Sequence, residues 1–147
     1  MSEQVLLLGG TSFMGRALSS LLTQRGLRVT HINRGRRHWN SEPAKDGSWI
    51  ECDRRSEPEK IRKAILASRW TAVVDFTCFE PKDFEPVRAA FAEKNDEEKP
   101  FYIFICTDNV YSACGDFWMK GKERLIVESD AVRLQDEELR KSWAESD

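Results

Sequence analysis

Seven residues near the start of the chain, Gly9-Gly10-Thr11-Ser12-Phe13-Met14-Gly15, have types and spacing suited to holding an anion. Gly9 and Gly15 occupy the outer positions of a GxxGxxG pattern, and Ser12 takes the place of the middle glycine. Gly9 permits a sharp turn off a strand. A small residue at Ser12 leaves room for a pyrophosphate, and Gly15 lets the following helix pack closely. The N–H groups at the helix N-terminus then face the anion. The context is what the motif demands, because an apolar run precedes it and a helical pattern follows. The alternative is a tight turn with no ligand.

The other chemistry-bearing residues fall at the ends of later strands. Asn33 stands 24 residues after Gly9, near the spacing at which an acid would hold the adenosine ribose of NAD. No acid is there. Asn33 can bond a ribose hydroxyl, while Arg34, with Arg36 or Arg37, can pair with a 2′-phosphate through the guanidinium fork. This favours NADP over NAD, against a reading as a solvated basic loop. Asp53 and Arg54 follow the third predicted strand. The Asp53 carboxylate can accept from an adenine amino group, cap a helix beginning near Glu57, or pair with Arg55. Phe76 and Thr77 end the fourth strand, where a cofactor would cross the sheet edge, although phenylalanines there also serve as core. Thr107 ends the fifth strand; its hydroxyl can bond a substrate oxygen or simply terminate the strand in a turn with Asp108.

These positions require a particular scaffold. Strands are predicted over 5–8, 27–32, 49–52, 71–76 and 101–106. Helices are predicted from Met14 to Arg25-Gly26, over 57–67 and over 83–93, with Pro86 placed in the first turn of the last. Residues 95–100 read as a charged loop and 135–144 as a modest helical candidate. Alternating strands and helices imply a parallel sheet covered on both faces.

The chain has 147 residues, of which 33% are charged, as expected for one soluble globular domain. The N-terminal apolar run is too short for a membrane span or a secretory signal. Residues 1–72 carry 13 Lys/Arg and 7 Asp/Glu; residues 73–147 carry 10 and 18. The basic first half suits an anionic partner such as a nucleotide phosphate. Cys52, Cys78, Cys106 and Cys114 form no CxxC pair, and the only histidines are His31 and His38. That argues against zinc and for reduced thiols in an intracellular, cytoplasmic setting, with Cys78 and Cys106 as small hydrophobes.

Taken together, residues 5–15, Asn33-Arg34-Gly35, Cys52-Asp53-Arg54-Arg55, Val73-Val74-Asp75 and 104–111 resemble the extended short-chain dehydrogenase/reductase superfamily. The branch is the NAD-dependent epimerase/dehydratase one, and the GGTxFxG form with Asn-Arg-Gly after strand two is similar to an atypical subgroup with RNA-associated members. The resemblance implies a Rossmann-like doubly wound sheet of order 3-2-1-4-5, cut off after the fifth strand. Residues 1–111 would form the dinucleotide-binding domain, and 112–147 a charged segment opening an incomplete substrate region. It implies a cofactor site at Gly9–Gly15, Asn33, Arg34, Arg36, Asp53, Arg54, Phe76 and Thr77, and a catalytic role for Thr107. The family reaction also needs a Tyr-x-x-x-Lys pair. The only tyrosines, Tyr102 and Tyr111, are followed four residues later by Cys106 and Gly115. The expectation is therefore the cofactor half of a longer enzyme, inert alone, with its fifth strand partly exposed and prone to self-association. The second expectation is a non-catalytic cofactor-sensing or RNA-associated module using Arg28, Arg34, Arg36, Arg37, Arg54 and Arg55 as a basic patch.

Overall fold

The computed structural model describes residues 3–11, 13–35 and 49–106, and Glu138. The chain divides into two compact units, Met1–Ile105 and Cys106–Asp147. In the second, the described residues are Cys106, exposed, and Glu138, helical.

The first unit is a Rossmann-like sheet. Its strands are β1 (Gln4–Leu8), β2 (Arg28–Asn33), β3 (Trp49–Glu51), β4 (Ala72–Asp75) and β5 (Phe101–Phe104). They lie in the order β3-β2-β1-β4-β5 and every pair is parallel. The apolar run of β1 needs no alternation because both faces of this central strand are covered. Leu6 and Leu8 pack with Ile32, Val73, Ile61, Ile65 and Val87 on one face. Val5 and Leu7 pack with Val29, Val74, Leu18 and Leu22 on the other.

Helix α1 (Phe13–Gln24) covers the second face, and α2 (Pro58–Leu66) and α3 (Pro81–Glu93) cover the first. Gly26 ends α1 as its position demands. At φ +81 it lets its own N–H reach Thr23 O and the Leu27 N–H reach Leu22 O, closing the helix. Helix α2 starts on Pro58 and buries Ile61, Ala64 and Ile65, one stripe at helical spacing. Burying an isoleucine side chain is worth about 1.5–3 kcal/mol.

Some boundaries differ from those expected. Helix α3 begins two residues early because Asp83 Oδ2 accepts the N–H groups of Phe79 and Glu80, both at 3.0 Å, fixing Pro81 at the first position. Pro86 therefore lies inside the helix, past the first turn, and α3 gives up one backbone bond there. Strand β5 stops at Phe104, and Cys106 is exposed rather than packed as a small hydrophobe, since the ladder has ended before it. On β5, Phe101 is 77% exposed and Ile103 46%, because β5 is the last strand of the described sheet. The predicted helix over 135–144 lies outside the described residues apart from Glu138. Among the described residues no helix is long and apolar enough to cross a membrane, and no group of three His, Cys, Asp or Glu could hold a metal ion.

Candidate functional site

The chain leaves β1 toward β2 on one side, and β4 lies on the other, so the strand order reverses beside β1. In doubly wound sheets a crevice opens there, at the carboxyl ends of the strands. The turn that follows β1 opens on two glycines, Gly9 and Gly10. Gly9 has φ +82, and a Cβ added to it would lie 2.2 Å from Thr77 Cγ2. Its N–H donates to Ile32 O at 2.8 Å. A Cβ on Gly15 would lie 2.6 Å from Gly10 Cα. Gly15 thus brings α1 against the backbone of the turn itself, and the contacts it would make with a Cβ are to Gly10 and not to the strands. Phe13, first residue of α1, has φ +44, a left-handed conformation that costs about 1–2 kcal/mol in a non-glycine residue. Its side chain is 86% exposed. Strain of this kind gathers at sites that bind ligands.

The turn opens on a cleft of about 1230 Å³. Of the residues expected at the site, Gly9, Thr11, Phe13, Asn33, Arg34, Asp53, Arg54 and Thr77 line it. Gly10 and Gly15 are buried beneath the turn, and Met14 is exposed on α1. Phe76 packs beside the Val5–Leu7 cluster, the core role. Ser12, Arg36, Arg37 and Thr107 lie outside the described residues. Asn33 is half-committed. Its Oδ1 accepts from Gly35 N at 2.9 Å, while its buried Nδ2 has no hydrogen-bond partner among the described residues. Arg34 is exposed at the cleft. Asp53 does not cap α2; Glu57 holds the cap position, and Asp53 Oδ1 instead accepts from Arg55 N at 3.0 Å in a local turn.

The far wall is different. Asp75, at the end of β4, is fully buried and takes a two-pronged contact from Arg54: Nη1 to Oδ1 at 2.8 Å, and Nη2 to Oδ2. Arg54 Nη1 also donates to Thr77 Oγ1 at 2.9 Å. Tyr102 O–H donates to Asp75 Oδ2 at 2.9 Å. Burial alone would draw the Arg54 guanidinium down, but the hydrogen bonds and charge of Asp75 outweigh it and hold the group above its ordinary value. Burial, joined by the Asp75 charge, pushes the Tyr102 phenol far up, so it keeps its proton and offers no acid–base chemistry near neutrality. Burial also pushes the Cys52 and Cys78 thiols up, away from thiolate reactivity. Arg55 pairs with Glu80 at 2.9 Å. The expected basic patch therefore has two of its arginines, Arg54 and Arg55, matched by carboxylates.

Asp75 and Tyr102 were not among the expected site residues. Asp75 is legible only as the acid closing Val73-Val74, and Tyr102 only as one of a run of aromatic strand residues. Nothing in the sequence pairs either with Arg54, 21 residues before Asp75 in the chain.

A glycine turn of this shape, set on β1 of a parallel sheet in this order, agrees with the comparison that decides the family: the model for the NAD dependent epimerase/dehydratase family matches residues 5–95. The chain belongs to the NAD dependent epimerase/dehydratase family. Solved structures share its fold. A UDP-glucose 4-epimerase is 14% identical with a TM-score of 0.66, over 98% of this chain and 48% of that one. A putative epimerase from Burkholderia cenocepacia J2315 is 16% identical with a TM-score of 0.62, over 98% and 51%. A short-chain dehydrogenase/reductase superfamily protein from Agrobacterium tumefaciens, solved with bound NAD, is 18% identical with a TM-score of 0.51, over 76% and 35%. This family member spans about half the length of the two epimerases it matches. No curated protein matches it.

Proposed function

We propose that this chain is the cofactor-binding part of an epimerase/dehydratase-type short-chain dehydrogenase/reductase, and that it binds a nicotinamide dinucleotide in the cleft over the Gly9–Gly15 turn. The observation that carries the reading is the bare turn itself. At Gly9, Gly10 and Gly15 a Cβ would strike Thr77, Leu7 and Gly10 at 2.2, 2.8 and 2.6 Å, so only glycine packs the turn this tightly at the head of α1, and Gly9, Thr11 and Phe13 line the cleft where helix N-terminal amides suit a pyrophosphate. The cleft volume is ample for such a ligand, and Asn33, whose carboxamide type suits a ribose hydroxyl, lines it.

The residues divide the work of binding. Gly9, Thr11, Phe13 and the N-terminal amides of α1 hold the phosphates. Asn33 holds the adenosine ribose, and Arg34, with Arg36, takes a 2′-phosphate, which makes NADP the preferred cofactor. When bound, the group supplies hydride exchange with a substrate carbon. Thr107 bonds the substrate oxygen. A threonine hydroxyl orients such an oxygen but is too weak an acid to exchange its proton. With no Tyr-x-x-x-Lys pair in the sequence and the Tyr102 phenol tied to Asp75, this polypeptide binds cofactor without turning substrate over.

The test is an assay of the purified chain with NADP and NADPH against alcohols, aldehydes and nucleotide sugars, beside a binding titration and a mass measurement in solution. Saturable binding without turnover supports the reading. General acid–base help is worth about 10²–10⁴-fold, so robust turnover would contradict it.

A further inference from the structure

Behind the glycine turn, donors from the loop after β3, from the residues after β4 and from β5 converge on one carboxylate. Asp75 Oδ1 accepts from Arg54 Nη1 at 2.8 Å, from Thr77 N at 2.9 Å and from Thr77 Oγ1 at 3.3 Å. Its Oδ2 accepts from Arg54 Nη2 and from Tyr102 O–H. Arg54 comes from the loop after β3, and Tyr102 from β5, where its ring lies 5.3 Å from that of Phe84 and 6.1 Å from that of Phe91, both on α3. The Arg54 and Asp75 side chains are 10% and 0% exposed.

A buried ion pair is a poor device for stability alone, because desolvation consumes most of its Coulombic gain and apolar replacements often do as well. Its value lies in directed geometry, and here the geometry ends on Thr77. That residue is held at its N–H and its hydroxyl hydrogen by Asp75, and at its hydroxyl oxygen by Arg54. With the hydroxyl fixed, Thr77 Cγ2 stands 2.2 Å from where a Gly9 Cβ would be, so the methyl abuts the Gly9 α-carbon. The turn is positioned from behind by a side chain that cannot rotate away.

We infer that Asp75 is a positioning residue for the phosphate-binding turn: with Arg54 and Tyr102 it locks Thr77, and Thr77 sets the place of Gly9. The inference rests on the dinucleotide reading above and adds that Arg54 serves the turn rather than the ligand's phosphate.

The experiment compares the intact chain with Tyr102→Phe, Asp75→Asn and Arg54→Lys, using NADP and NAD as probes in calorimetric titrations. Circular dichroism checks the fold, and amide NMR shifts of Gly9 and Thr77 are recorded without ligand. Asp75→Asn is expected to weaken both dinucleotides about tenfold or more, the scale of a hydrogen bond to a charged group. The loss is equal for the two because they share the pyrophosphate. Arg54→Lys keeps the charge but loses the fork, and should fall in the same direction. Tyr102→Phe is the mildest change, and keeps the inference falsifiable if Asp75→Asn does not fold. It should shift the Gly9 and Thr77 amides and cost about twofold to fivefold in affinity. Folded variants with unchanged affinity and unmoved amides would overturn the inference while leaving the dinucleotide reading intact. So would a tighter, more salt-dependent affinity in Asp75→Asn, which would make Arg54 a phosphate ligand restrained by Asp75. If the unaltered chain bound neither dinucleotide, the reading beneath would fall, and the inference with it.

Discussion

Arg34 and Arg54 are the same residue type, each just past the end of a strand, and both line one cleft, yet they do opposite things. Arg34 is exposed at the cleft. Arg54 is nine-tenths buried, and its two terminal nitrogens are bound to Asp75 and Thr77. One side of the cleft is lined by the Gly9 backbone, by Asn33, whose buried Nδ2 has no hydrogen-bond partner among the described residues, and by the exposed Arg34. On the other side the Arg54 terminal nitrogens, the Asp75 carboxylate and the Tyr102 hydroxyl are bound to one another, and only Arg54 Nε lacks a partner among these groups. An arginine near a phosphate site contributes charge only where no carboxylate already holds it, which is a question of three-dimensional pairing.

That contrast can be broken from either side. The largest effect is expected from Gly15→Val. Its side chain would drive into Gly10 Cα, already 2.6 Å from an ideal Cβ, where only backbone could yield. Overpacking typically costs about 1–3 kcal/mol of stability, so the domain should fold, with a lower melting temperature and no measurable NADP binding. A folded variant with undiminished affinity would dissociate the turn from the ligand. On the other side, Asp75→Ala strands the buried Arg54 charge, and loss of one partner from such a pair costs about 3–5 kcal/mol, readable in a urea melt. A loss under about 1 kcal/mol would mean that Arg54 finds solvent easily and the wall is not closed.

Much of the scaffold could be read in the sequence because it follows from short-range patterns. The run over 5–8, the Gly26 stop of α1 and the Ile61-Ala64-Ile65 stripe rest on burial periods and glycine positions, whereas the strand order was implied by the family resemblance. The glycine turn was legible for the same reason: its tight packing depends on residues without a Cβ, which is visible residue by residue. The Asp75 cluster was not, since a carboxylate closing a buried strand looks the same whether it faces ligand or fold. The helix start at Pro81 escaped because it is set by Asp83 reaching back to two amides, a choice the apolar pattern of α3 does not record.

Smaller effects sharpen the comparison. Arg34→Ala should leave stability unchanged and lose about 1.5–3 kcal/mol of NADP affinity, with NAD nearly unaffected. Equal losses for both would show that Arg34 supports the loop and not a 2′-phosphate. The exposed pair Arg55–Glu80 should matter least: Arg55→Ala is expected to change stability by no more than about 1 kcal/mol, and by less at high salt. A pH series isolates Tyr102. Its phenol, near 10.0 when unfolded, ionises higher in the folded protein, where burial and Asp75 oppose the charge. Its contribution is complete below pH 10 and is lost as pH rises beyond it, because the unfolded chain releases the proton first. Urea melts between about pH 9 and 11 should show stability falling, with a shallower fall in Tyr102→Phe.

In the proposed reading the turn after β1 holds a nicotinamide dinucleotide and Arg34 tilts the choice toward the 2′-phosphorylated form. Calorimetric titration of the purified chain with NADP and then NAD, at fixed salt, addresses it directly. One saturable site is expected for each, with NADP the tighter by about tenfold or more. No heat and no saturation with either dinucleotide, from a chain shown to be folded, would contradict it.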